Sequence, residues 1–268
     1  GAGPPPSQAV PRRRWPAALA AVLLLAGAWP LGRWLCAWSL KPMAVSGMTL
    51  DHPTALACDG RRLWVSDWNG TLQSFDAADL SAPASSASLA SLGAYRPVAL
   101  ALGGGRFYTL DAAQARIVRH QPDAPATVLY ARPAPGPAPT ALAWDGQALW
   151  SYDAFNKRLY RHGPDESEAK AYALDAGVAV AAMQWLDGRL WLWDGRGRRL
   201  MVFDLVNEAF VPSWSAALDE NAVGLAAAGA AGARPKTRDI LVLVGPSARR
   251  QGFALLRCRV GWRAFTIF

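Results

Sequence analysis

Two short polar pairs, Asp51-His52 and Glu220-Asn221, hold the residue types in this chain best suited to binding a cation. Carboxylate, imidazole and amide groups are the oxygen and nitrogen donors that divalent ions take. Each pair immediately precedes an apolar run, so the pairs meet only in a fold that closes into a ring and sets those runs side by side. Polar residues at the start of a strand need no ion to account for them. Asp51, His52, Glu220 and Asn221 are therefore the candidate ligands, while no metal and no cofactor is expected.

Four further carboxylates recur at regular spacing. Asp67, Asp111, Asp153 and Asp194 each end an apolar run ahead of turn residues, where a carboxylate accepts hydrogen bonds from the backbone N–H groups of the turn. They read as structural turn residues. His120 and His162 occupy equivalent places one unit apart, too far from each other to share an ion, and read as solvated edge residues. A phosphate-binding glycine loop, a paired zinc spacing and a nucleophile elbow are all missing from the 268 residues, so catalysis is not expected.

The elements that position these residues follow from a repeat. PTALACDGRRLWVSD over residues 53–67 and PTALAWDGQALWSYD over residues 139–153 are nearly the same sentence. Weaker copies start at Pro97 and Ala181. Between the closing aspartates the steps are 44 (67 to 111), 42 (111 to 153) and 41 (153 to 194), the length of one four-stranded propeller blade. Asp59-Gly60, Asp145-Gly146 and Asp187-Gly188 separate two short apolar runs in each unit and predict type I′ hairpins, with Gly103-Gly104-Gly105 in the same slot of the second unit. Third strands are predicted at 72–75, 116–119, 159–161 and 200–203, and outer strands at 127–130 and 169–174. A fifth unit runs through 222–227, 240–244 and 253–258. The stretches 43–50 and 262–268 both read as outer strands, one of them joining the last sheet to close the ring. The fold class expected is all-β: a five-bladed β-propeller, or a six-bladed one if both terminal strands belong to a further blade, preceded by one transmembrane α-helix.

The run LWSYDAFNKRL (149–159), with LWVSD (63–67) and RLWLWD (189–194), resembles the NHL and YVTN type of β-propeller repeat. The resemblance covers about four units and speaks to fold. Proteins of that kind include interaction scaffolds, sensors and metal-dependent hydrolases, so it implies no single activity.

The formal charge of +8 sits mainly ahead of the repeats: Arg12, Arg13, Arg14, Arg33 and Lys41 all precede the first acidic residue, Asp51. The remaining 23 basic and 20 acidic side chains are too balanced for a nucleic-acid surface. Trp15 to Gly32 is a run of 18 uncharged residues, which as a helix at 1.5 Å per residue is about 27 Å long, close to the thickness of a bilayer core. Arg12, Arg13 and Arg14 on one side, Arg33 on the other, and Trp15, Trp29, Trp34 and Trp38 in the interfacial belts complete a membrane anchor with its N-terminus in the cytoplasm. Ala26-Gly27-Ala28 also satisfies the rule for a cleavable signal, and an uncleaved anchor is the reading preferred. The expected organisation is a cytoplasmic arm at 1–14, a transmembrane helix at 15–40 and a propeller at 41–268. A single disulfide between Cys58 and Cys258 is conceivable in an oxidising compartment.

Together these readings predict a non-catalytic scaffold or accessory subunit. It is placed single-pass in a bacterial inner membrane with the propeller in the periplasm, in contact with lipid and with membrane protein subunits. An energy-converting assembly, a photosynthetic reaction centre or a respiratory complex, is the concrete expectation for those partners. The alternative is a membrane-tethered, lactonase-like hydrolase with a divalent ion in the channel. Pro97 and Pro139 weigh against it, because they stand where further ligands would be needed.

Overall fold

A computed structural model describes residue 1 and residues 38–165, 168–174, 177–228, 238–248 and 250–262. The described chain opens with β1 (Trp38–Gly47) and then builds four sheets in sequence. The first is β2 (Pro53–Cys58), β3 (Arg62–Asp67), β4 (Thr71–Asp76) and β5 (Ser85–Ser88). The second is β6 (Pro97–Gly103), β7 (Arg106–Asp111), β8 (Arg116–Gln121) and β9 (Ala124–Pro133). The third is β10 (Pro139–Trp144), β11 (Leu149–Asp153), β12 (Arg158–His162) and β13 (Ala169–Ala173). The fourth is β14 (Val180–Leu186), β15 (Arg189–Asp194), β16 (Arg199–Val206) and β17 (Ala209–Ala217). The fifth takes β18 (Ala222–Ala227), β19 (Arg238–Val244) and β20 (Ala254–Trp262) from the end of the chain and β1 from its beginning, in the order β18-β19-β20-β1.

This is a five-bladed propeller, and it closes as a ring because the last blade borrows its outer strand from the N-terminal side. The six-bladed alternative fails because β1 is the fourth strand of the fifth blade rather than part of another. Residues 263–268, part of the second candidate for closure, lie outside the described residues. The sequence reading also missed β5 and β17, whose small and mixed residues carry little alternation.

Residue size explains the layering. The innermost strands contribute small buried side chains such as Ala55, Ala57, Ala99, Ala101, Ala141 and Ala143, so five strands fit around a narrow axis. The second strands supply the large ones: Trp64, Tyr108, Trp150 and Trp191 are buried between neighbouring blades. Gly103 shows how tight the fit is. A Cβ built there would stand 2.3 Å from the Trp144 ring, so the glycine slot of the second unit makes room for an indole from the third.

Several expectations change. β1 begins at Trp38, so the last three residues of the expected 15–40 helix belong to the propeller, and its expected start at 41 moves to 38. Trp38 is stacked on Trp214 with ring centroids 4.7 Å apart, which gives its indole a protein partner in place of a membrane belt. The rest of the anchor, including Arg12, Arg13, Arg14, Trp15, Trp29, Arg33 and Trp34, lies outside the described residues. Among those that are described, no helix is long and apolar enough to cross a membrane. Cys58 and Cys258 are both free and buried, and burial pushes the Cys258 thiol up to about 12. Of the three Asp-Gly pairs only Asp187-Gly188 has both residues at positive φ (52° and 71°). In the other two the carboxylate itself makes the turn: Asp59 accepts from the N–H groups of Arg61 and Arg62, and Asp145 from those of Gln147 and Ala148.

His120 and His162 are also not solvated. Both are buried, and both hydrogen-bond to the second strand of their blade: His120 Nε2 lies 2.8 Å from Thr109 Oγ1, and His162 Nε2 lies 2.9 Å from Ser151 Oγ. The Pro125 carbonyl, 2.6 Å from His120 Nδ1, can only accept, so Nδ1 carries the proton. Nε2 then accepts from the Thr109 hydroxyl, whose oxygen accepts in turn from the buried Tyr95 hydroxyl. Burial pulls the His120 pKa from 6.5 to about 4, with the Pro125 bond opposing part of that shift. A neutral imidazole in the fold and an ordinary one in the unfolded chain give a definite sign. The contribution is complete above pH 6.5 and is lost as pH falls toward 4, by up to about 3 kcal/mol. Urea midpoints at neutral and acidic pH should therefore fall more steeply for the wild type than for His120→Gln, and parallel curves would contradict this assignment.

Candidate binding basin at the channel mouth

The five innermost strands share an irregularity. Each pairs with its second strand through a register shift at its first step, between Pro53 and Ala55, Pro97 and Ala99, Pro139 and Ala141, Val180 and Ala182, and Ala222 and Gly224. The extra residues are Thr54, Val98, Thr140, Ala181 and Val223. A bulge re-aims the side chain it inserts, and here all five, each half-buried, line the mouth of the channel at the end where the inner strands begin. Below them Leu56, Leu100, Leu142, Met183 and Leu225 narrow the axis to a space of about 10 Å³, room for roughly one water.

The same end of each blade is fastened by its aspartate. In four blades the carboxylate accepts from the N–H of the residue just ahead of the inner strand: His52 to Asp67 at 2.8 Å, Arg96 to Asp111 at 3.0 Å, Ala138 to Asp153 at 2.6 Å and Ala179 to Asp194 at 3.2 Å. It also accepts from the turn beyond, at Asn69, Ala113, Asn156 and Arg196. The carbonyls of His52, Arg96, Ala138 and Ala179 receive the N–H groups of Trp68, Ala112, Ala154 and Gly195 in return. Each residue ahead of an inner strand is thus held through both its N–H and its C=O. The four carboxylates are buried. The fifth blade has Val244 at the equivalent register position and keeps only the second bond, Gly245 N–H to Asn221 C=O at 2.8 Å.

Asp51, His52, Glu220 and Asn221 stand at this end, on the first and fifth blades. His52 lines the mouth. Glu220 is taken up by Arg250, whose guanidinium donates to both carboxylate oxygens at 3.2 and 3.1 Å. Asp51 and Asn221 are exposed. Among the described residues, no three His, Cys, Asp or Glu side chains group closely enough to hold an ion.

What the mouth forms is a basin of about 580 Å³, floored by the bulged residues and walled by Trp68 and Phe253. Size and lining fall in the range of sites that take small ligands or a partner's side chain. Trp68 is 46% exposed, with the Arg96 guanidinium 5.8 Å from its ring centre, and Phe155, 75% exposed, follows Asp153 at the same end of the third blade, two blades away. Sequence reading singled out the aspartates but missed the bulge ring, because the inserted residue sits in an apolar run that reads as uninterrupted alternation.

Comparison with protein families and with curated protein sequences finds no match. Among solved structures, the chain is similar to a glutaminyl cyclase from Myxococcus xanthus, with a TM-score of 0.65, 14% identity, and coverage of 85% of this chain and 98% of that one. It is also similar to the WD40 repeats of RRP9, with a TM-score of 0.50, 11% identity, and coverage of 82% and 98%. At these identities the likeness establishes the propeller fold.

Two threonines of the ring differ in one testable way. Thr54 Oγ1 bonds Ser66 Oγ at 2.9 Å and the Pro97 carbonyl, whereas Thr140 Oγ1 is buried with no hydrogen-bond partner among the described residues, Tyr152 standing where the first blade has Ser66. Thr54→Val should cost about 1–2 kcal/mol, while Thr140→Val should be neutral or stabilising because it removes an unsatisfied hydroxyl. Equal losses in chemical denaturation would contradict the description of the floor.

Proposed function

We propose that this chain is a membrane-tethered, non-catalytic interaction subunit, a propeller of the NHL and YVTN kind that receives an apolar side chain of a partner membrane protein in its channel-mouth basin. The observation that carries this reading is the way the surrounding carboxylates are used. Asp67, Asp111, Asp153 and Asp194 are spent on backbone N–H groups, and Glu220 on Arg250, around a basin whose floor is largely aliphatic. Such a lining supports binding by burial rather than proton transfer or ion-assisted hydrolysis. The exposed rings of Trp68 in its wall and of Phe155 at the same end of the propeller are of the type that anchors protein interfaces.

The tether is the uncharged run from Trp15 to Gly32, and the basic residues ahead of it favour a cytoplasmic N-terminus and a periplasmic propeller in a bacterial inner membrane. An energy-converting complex remains the assembly proposed. Purification of the full chain from native membranes in mild detergent tests the reading. Trp68→Ala, alone and with Val98→Asp, should leave the chain membrane-bound with an unchanged circular dichroism spectrum, yet reduce its co-purifying partner by about tenfold or more. A partner retained at normal stoichiometry, or a wild type that purifies alone, would refute it.

A further inference from the structure

We propose that the outer edge of the first blade is a second docking site, at which β5 accepts an extended, lysine- or arginine-bearing segment of a partner protein as an added strand. The site lies on the rim of the propeller and does not depend on the basin. Among the described residues, each sheet has an outermost strand with no further strand paired to its far edge, and proteins blunt such edges with lysine, proline or bulges. Four of the five do so here. β1 carries Lys41 and Pro42, β13 carries Lys170, and β17 carries Pro212 together with a register shift opposite it. β9 carries Pro125 and two register shifts. β5 reads Ser85-Ser86-Ala87-Ser88 and has none of these devices.

The pairing of β5 is longer than its four residues suggest. Leu89 N–H reaches the Gly70 carbonyl at 2.8 Å, just past the strand, and Ala84 N–H reaches the Ser74 carbonyl at 2.7 Å just ahead of it. With Leu89 turned to Gly70, the register Leu72↔Ala87 and Ser74↔Ser85 turns Ala87 and Ser85 toward β4. Ser86 and Ser88 therefore point their peptide groups outward, ready to pair.

Beside this edge is space for side chains. A groove of about 450 Å³ runs between β5 and the start of β9, walled by Ala84, Ala87, Ala124 and Ala126 over Trp64. It adjoins a cleft of about 620 Å³ that holds Asp59, Asp76 and Asp123 against Arg61 and Arg62. Arg62 is partly engaged, with Asp123 at 4.0 Å and the Trp64 ring centre at 5.8 Å. In the groove itself Asp123 balances Arg62, and the adjoining cleft adds Asp59 and Asp76 against Arg61, so groove and cleft together carry one carboxylate more than they have guanidiniums, which favours a basic segment. Strand addition of this type draws affinity from the main chain and specificity from side-chain pockets.

The test uses the full chain in mild detergent and a short labelled peptide of alternating threonine and valine with a central lysine, read by fluorescence anisotropy. The peptide should bind wild type at least about tenfold more tightly than Ser86→Pro, which removes one outward N–H, and more tightly than Ser86→Lys, which adds the missing edge charge. A peptide with central glutamate should bind more weakly, and Asp123→Lys should reverse that preference. Melting temperatures of the three variants within a few degrees of wild type show that the blade is intact, and Ser86→Lys serves if the proline variant unfolds. Equal binding to all variants, equal binding of both peptides, or a dimer of the chain abolished by Ser86→Lys would each overturn the proposal. Because Trp68→Ala leaves this edge untouched, loss of the basin's partner with retained peptide binding separates the two sites.

Discussion

The buried carboxylate at the end of the second strand in four of the five blades is the interaction on which the channel-mouth end of this propeller depends. It reaches back to the peptide just ahead of the inner strand and forward into the next turn, reinforcing the single backbone bond that otherwise joins the two loops. Hydrogen bonds to an ionised acceptor contribute about 1.5–3 kcal/mol each, and a buried carboxylate without them would be costly, so clamp and burial require one another. The bulged residue lies within two positions of that clamp in every blade that has one. The carboxylate braces the first peptide of the strand beside the bulge, and the bulge aims Thr54, Val98, Thr140 or Ala181 into the mouth. The apolar floor and the engaged carboxylates are thus two results of one arrangement.

The fifth blade shows what happens without the clamp. Val244 takes the aspartate's place, a single backbone bond remains, and the bulge at Val223 persists. Here Glu220, ahead of β18, and Arg250, in the loop between β19 and β20, form a half-buried ion pair, a connection of a different chemistry between the segments the aspartate would otherwise join. The blade gains its fourth strand from β1, so the ends of the propeller are tied to one another by a ladder and not by a disulfide. Stability at the closure is a matter of strand pairing and of aromatic packing such as Trp38 on Trp214.

Much of this fold was legible because propeller blades repeat. Two nearly identical runs at 53–67 and 139–153 expose the period, and the closing aspartates count four of the five blades. Outer strands were harder to read. β5 and β17 face solvent along much of their length, so hydrophobic patterning does not mark them. His120 and His162 were misread because a buried imidazole is recognisable only through its partners, here Thr109, Pro125 and Ser151, and no local spacing announces those. At the mouth the residues flanking the inner strands were legible as polar, but their use was not. Sequence lists donors and acceptors without saying that Arg250 takes Glu220 or that Asp67 is occupied by His52 and Asn69.

The central claim is that the channel-mouth end of the propeller meets its partner through the basin. Site-specific photo-crosslinking in native membranes, with a photoreactive residue at Trp68 or at Phe155 and a control on β13 at Lys170, tests it most directly. The account predicts one and the same membrane-protein adduct from both channel-mouth positions and none of it from position 170. An adduct from position 170 with none from 68 and 155 would contradict it.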